Sequence, residues 1–237
     1  LLPYLLLFTP SGFIADKFKK LSVLRATAGL AIPLTILATW SYFQGYFNMA
    51  FILTLLLATQ SALNSPAKYG YIKEIFGKEN LAPANGLVQA IAIISILAGT
   101  FIFSIIFNHY LTSEALQHSI DRAAILRAFA PAGFLLLLAS CAETVCTFII
   151  PKKSAADPNS QYKITEYIRG TYLKSYLKEI KAAPIIAFCI LGLALFWGIN
   201  QVLLASYGAY LKEFAGNPST VFVQGVLALG GLGILFG

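Results

Sequence analysis

Long apolar runs separated by short polar junctions make up nearly all of the chain. The runs fall at Leu1–Gly12, Leu21–Tyr42, Phe47–Asn64, Leu81–Phe107, Phe129–Ile150, Pro184–Tyr207 and Ser219–Gly237. The first reads as the end of a run. Each of the others is long enough, at about 1.5 Å per helical residue, to cross roughly 30 Å of hydrocarbon. A helix satisfies its own backbone in lipid. The strands of a membrane barrel would alternate apolar and polar residues, and these runs do not. The pattern therefore predicts an all-α membrane protein that crosses a bilayer about seven times.

Composition agrees. Of 237 residues, 58% are hydrophobic and 11% are charged, against about 25% charged in soluble domains. Such a surplus of apolar surface would aggregate in water but is favourable in lipid. The net charge of +7 would raise nucleic acid as a partner in a soluble chain. Here the basic residues lie between apolar runs, so no nucleic acid is expected and membrane lipids are the natural counter-charge.

Fourteen of the 17 basic residues fall in alternate junctions. These are Lys17, Lys19, Lys20 and Arg25; then Lys68, Lys73 and Lys78; then seven between Lys152 and Lys181. Only Arg122, Arg127 and Lys212 fall in the other set. Basic loops stay on the cytoplasmic side, which orients the spans. Cys141, Cys146 and Cys189 lie within apolar runs, which argues against a disulfide framework or a metal site. No nucleophile motif or phosphate-binding glycine loop appears, so neither an enzyme nor a cofactor is expected. The chain opens on apolar Leu1-Leu2-Pro3-Tyr4 and stops at Gly237 inside an apolar run, as an internal piece of a longer protein would.

The longest polar segment is 151–183. Asp157-Pro158-Asn159-Ser160 reads as a turn. After it, Ile164, Ile168, Tyr172, Tyr176 and Ile180 recur every four residues, with Lys163, Lys174, Lys178 and Lys181 on the opposite face. This predicts one amphipathic helix on the cytoplasmic leaflet, within a linker between two halves.

Between the first two runs stands Gly12-Phe13-Ile14-Ala15-Asp16-Lys17-Phe18-Lys19-Lys20. A glycine, an acid four residues on and then basic residues resemble the signature of the major facilitator superfamily, with Lys19 where a second glycine is usual. The resemblance implies a conformational switch of Gly12, Asp16, Lys17 and Lys20. In it the glycine admits a close helix approach, and the carboxylate meets a helix N-terminus or a basic partner. It also implies numbering. The fragment would cover the end of helix 2 to helix 8 of a helical bundle. Residues 1–150 would be part of the N-terminal six-helix half, 151–183 the linker and 184–237 the start of the C-terminal half.

A second string, Ser65-Pro66-Ala67-Lys68-Tyr69-Gly70, is followed by Glu74 and by Ala84-Asn85-Gly86-Leu87, with Phe196-Trp197-Gly198 further on. Together these look like the lysophospholipid transporter branch of the superfamily. That resemblance implies a bacterial inner-membrane protein moving lysophospholipid by alternating access, in some members with a fused or separate acyltransferase. The other readings are a superfamily exporter of a drug or metabolite, and the membrane portion of a fused phospholipid acyltransferase.

Lys68 offers a mobile cation with three donors to a headgroup phosphate, and Pro66 and Gly70 are expected to break or bend the helix around it. Tyr69, Gln60, Asn64, Gln89, Asn200 and Gln201 complete the candidate substrate-binding set. In some members an arginine stands in the second half of helix 7, where this chain reads Asn200-Gln201-Val202-Leu203-Leu204. Glu143 lies about 12 Å along a helix from Pro151. An acid at that depth is a functional candidate, as a coupling group or as the partner of a cation on another helix.

Overall fold

In the computed structural model, the residues described are 2–111, 121–151, 163–214, 221–223 and 225–226. The expected turn at Asp157–Ser160 and nearly all of the last expected span lie outside them. The chain divides into two compact units, residues 1–96 with 105–161 and residues 97–104 with 162–237.

The elements are α1 (Leu2–Lys17), α2 (Lys20–Gln44), α3 (Phe47–Phe76), α4 (Leu81–Leu111), α5 (Arg122–Phe129), a 3-10 turn (Ala130–Ala132), α6 (Gly133–Ile149), α7 (Ile164–Ile168), α8 (Thr171–Ala182) and α9 (Pro184–Phe214). Among the described residues, five stretches are long and apolar enough to cross a membrane: Lys20–Gln44, Phe47–Phe76, Leu81–Tyr110, Arg122–Ile149 and Pro184–Tyr207. Together with α1 these match the first six expected runs, so the chain is a multi-pass membrane protein.

Several boundaries move: α5 begins at Arg122, ahead of the run expected from Phe129, and α9 continues past Tyr207 to Phe214. The first junction is only Phe18-Lys19, because Gly12 to Lys17 are still helical. The helix expected to end near Asn64 runs unbroken to Phe76 with Pro66 inside it. Proline removes one backbone hydrogen bond, but packed neighbours make that tolerable in a membrane helix. The expectation of a break at Pro66 is thus corrected.

In the first unit α2 is the central element and packs against α3 and α6, while α1 packs on α3. Small residues make this possible. Ala28, Ala31, Ala38, Ala62, Ala67 and Ala130 are buried, and small side chains let helix backbones approach where lipid offers no hydrophobic drive for association. Gly133 marks a close approach of α2 to α6: a Cβ there would lie 2.5 Å from Thr39 Oγ1. Buried hydroxyls answer to their own helix. Thr35 donates to the Ala31 carbonyl at 2.9 Å and Thr39 to that of Thr35 at 2.8 Å. Large apolar side chains such as Leu5, Phe51, Leu87 and Phe148 point outward, as a lipid-facing surface requires.

Contacts at the helix ends fix the topology. Lys20 at the start of α2 pairs with Glu74 near the end of α3, and the Tyr71 hydroxyl donates to the Pro151 carbonyl just beyond α6. The junctions at 18–19, 77–80 and 150–151 therefore share one end, the basic one. At the other end Arg127 Nη2 donates to the Gln44 carbonyl at 3.1 Å. Gly45 turns there at φ 75°, which suits glycine alone at so close a contact with Ala123.

Candidate functional site

Two groups of polar residues in the first unit stand out, one within the span and one at the basic end. The first is carried by α3. Gln60, Asn64 and Lys68 follow one another at four-residue intervals and so share a helix face. Gln60, which is buried, donates from Nε2 to the Thr27 carbonyl at 3.0 Å. The Thr27 hydroxyl lies 3.0 Å from Asn64 Oδ1, and Asn64 Nδ2 reaches Glu143 Oε1 on α6 at 3.5 Å. Half-buried Lys68 stands one turn further along the same face of α3. The helices α2, α3 and α6 thus meet through two amides, a hydroxyl and a carboxyl, with one cation a turn away on α3. The ammonium provides donors for an anionic group, and the amides can hydrogen-bond a polar headgroup.

Of the predicted residues, Gln60, Asn64 and Glu143 are linked through these bonds and Lys68 stands one turn along the same face; Thr27 is the member that sequence reasoning missed. A threonine in an apolar run gives no signal of its own. Gln89 is exposed on α4 and has no hydrogen bond to this group among the described residues. Tyr69 is largely exposed, with the Lys68 ammonium 5.8 Å from its ring centre. Asn200 and Gln201 lie on α9 in the second unit. Gln201 is exposed, and the side chain of Asn200 lies outside the described residues.

The second group forms a clasp. Lys20 Nζ and Glu74 Oε1 are 2.7 Å apart, and the lysine side chain is 7% exposed. A Cβ on Gly70 would lie 2.5 Å from Lys20 Cε, so the glycine is the notch through which the lysine reaches its acid. Nearby, Arg25 Nε donates to the Thr147 carbonyl at 3.0 Å, and its guanidinium lies 4.7 Å from the centre of the Phe148 ring. Arg25 and Tyr71 together occupy carbonyls at the C-terminal end of α6, where a cation is favoured.

Of the residues of the expected switch, Lys20 forms an ion pair, and its partner is Glu74. Asp16 is exposed and forms no ion pair among the described residues. A Cβ on Gly12 would meet nothing within 4 Å, so this glycine admits no close approach here. Lys17 lies over Phe13 and Phe18, at 5.6 and 5.9 Å from their ring centres. The usable signal was Gly70 and Glu74, one helical turn apart on α3.

Residues 1–237 match the Major Facilitator Superfamily along their whole length. The chain belongs to that superfamily. Among curated superfamily relatives it is similar to the "Lysophospholipid transporter LplT" of Citrobacter koseri, with 25% identity over 231 residues covering 95% of this chain and 51% of the relative. The protein of the same name from Photorhabdus laumondii is 26% identical over 241 residues, covering 97% and 52%. That from Salmonella arizonae is 27% identical over 231 residues, covering 95% and 51%. The chain spans about half the length of these relatives. No solved structure matches it.

Proposed function

We propose that this chain is part of a secondary-active transporter of the bacterial inner membrane that moves lysophospholipid by alternating access. The observation that carries the reading is the chain of Gln60, Asn64 and Glu143 within the span of the first unit, with Lys68 on the same face of α3. The names of the relatives supply the substrate class. The headgroup phosphate would bind Lys68, with the amides of Gln60 and Asn64 beside it, while the acyl chain stays among apolar side chains or in lipid. Glu143 would be the resident counter-charge of Lys68, displaced when phosphate arrives and thereby exposed to a coupling ion. The Lys20–Glu74 clasp would hold one conformation and open in the other. Asn200 and Gln201 would add contacts from the second half. No reaction is assigned to the chain, and an acyltransferase would act on the transported product.

The test is lysophospholipid uptake by vesicles containing the complete transporter. A hydrogen bond to a charged group contributes about 1.5–3 kcal/mol. Lys68→Ala should therefore raise the KM for uptake about tenfold or more, with expression unchanged. Unchanged uptake sinks the headgroup role. Competition by drugs or water-soluble metabolites, with none by lysolipid, would instead support the exporter reading.

A further inference from the structure

We infer that α8 is a docking helix for an anionic lipid surface, with Lys174, Lys178 and Lys181 as its headgroup contacts. The inference concerns the second unit and does not depend on what the transporter carries.

The predicted single amphipathic helix is in fact two. Gly170, at φ 70°, caps the start of α8 and separates it from α7. On α8, at about 100° per residue, Tyr172, Leu173, Tyr176, Leu177 and Ile180 share one arc. Lys178 opposes this arc, as the four-residue spacing suggests. Lys174 and Lys181 lie between Lys178 and Leu177, and Glu179 lies beside Tyr172 on the other flank. Lys174, Leu177, Lys178 and Lys181 border a surface groove of about 330 Å³. Leu173 and Leu177 are 50% and 47% exposed. Five basic residues face two acidic ones across 163–183.

The helix is also held at the right depth. It ends at Ala182, and after Ala183 the membrane-crossing α9 begins at Pro184. A helix tied this closely to a span sits at the hydrocarbon boundary. There the leucines can enter the acyl region while the lysines extend to phosphates at its edge. An acidic protein would match the lysines and leave the leucines in water. An apolar protein groove would match the leucines and desolvate the lysines. An anionic leaflet satisfies both.

The test places a nitroxide at Leu177→Cys in the complete protein, with Cys141, Cys146 and Cys189 replaced by serine. Its accessibility to oxygen and to a water-soluble nickel chelate is compared in bilayers of phosphatidylcholine and of phosphatidylcholine with phosphatidylglycerol. The label should become oxygen-accessible and nickel-protected when the anionic lipid is present. Replacing Lys174, Lys178 or Lys181 by Gln should lower the docked-to-undocked ratio about fivefold each, and added salt should do the same. Glu179→Gln should deepen docking, which guards against a variant that fails merely by misfolding. The inference is overturned if the label is equally protected in neutral and anionic bilayers, as protein packing would give, or equally wet in both.

Discussion

Replacing Gly70 by Ala isolates the clasp with a single methyl group. Gly70 lies inside α3, and in an ordinary helix interior alanine is favoured over glycine by about 1 kcal/mol. Here the new Cβ would stand 2.5 Å from Lys20 Cε and 3.0 Å from Cδ. The lysine stem must move, and its ammonium has only 2.7 Å of reach to Glu74 to lose. Overpacking of this kind costs about 1–3 kcal/mol. Losing the buried pair altogether costs about 3–5 kcal/mol. Glu74 keeps 23% of its side chain exposed, and the lysine stem is flexible, so the lower range applies. Set against the gain of about 1 kcal/mol, the net expectation is a loss of up to about 2 kcal/mol, opposite in sign to the intrinsic preference. The assay is thermal unfolding of the purified protein in detergent, run on Gly70→Ala, Glu74→Gln and the double variant. The two losses should be less than additive, because Lys20 has already lost its acid when Glu74 is neutral. A Gly70→Ala protein that melts at or above the parent temperature refutes the notch.

Other consequences follow from the same contacts. Gly133→Ala should destabilise by about 1–3 kcal/mol, since its Cβ would press on Thr39; Thr39→Ala in the same protein should restore part of the melting temperature. Arg25→Lys keeps the charge but loses the planar contact with Phe148, so it should cost about 0.5–2 kcal/mol, with an equal loss in a Phe148→Leu background counting against the stacking. Glu143→Gln should lower both KM and maximal rate in vesicle uptake, because Lys68 is freed to hold phosphate and slower to release it; no change in either would remove Glu143 from the site.

The first six runs, and the gathering of basic junctions at one end of the first unit, were legible because hydrophobic length and charge alternation are local properties. Ends were misjudged at α1, α3 and α9 and at the start of α5. At α3 the polar string from Ser65 to Gly70 looked like an exit from the membrane, yet packing against α2 carries the helix through Pro66 to Phe76. Gln60, Asn64, Lys68 and Glu143 could be named because polar residues in apolar runs are conspicuous. Thr27 could not, since its value lies in which carbonyl and amide it meets. Asp16 drew attention by motif, whereas the acid that pairs Lys20 is 54 residues away, a separation that no local pattern encodes.

The unbroken course of α3 has one mechanical consequence. Pro66 leaves the rod short of the hydrogen bond that a nitrogen there would donate to the Ala62 carbonyl, so it is a lever with a soft joint. Gln60 and Asn64 are bonded to α2 and α6 on one side of that joint. Lys68 rides on the other side, on the same arm as Gly70 and Glu74. Glu74 lies about 12 Å along the arm from Pro66. A flexion of roughly 6° there would carry it about 1.3 Å, enough to part it from Lys20, and would swing the Lys68 ammonium relative to Glu143 in the same stroke. Opening the clasp and repositioning the cation would then be a single movement of one arm.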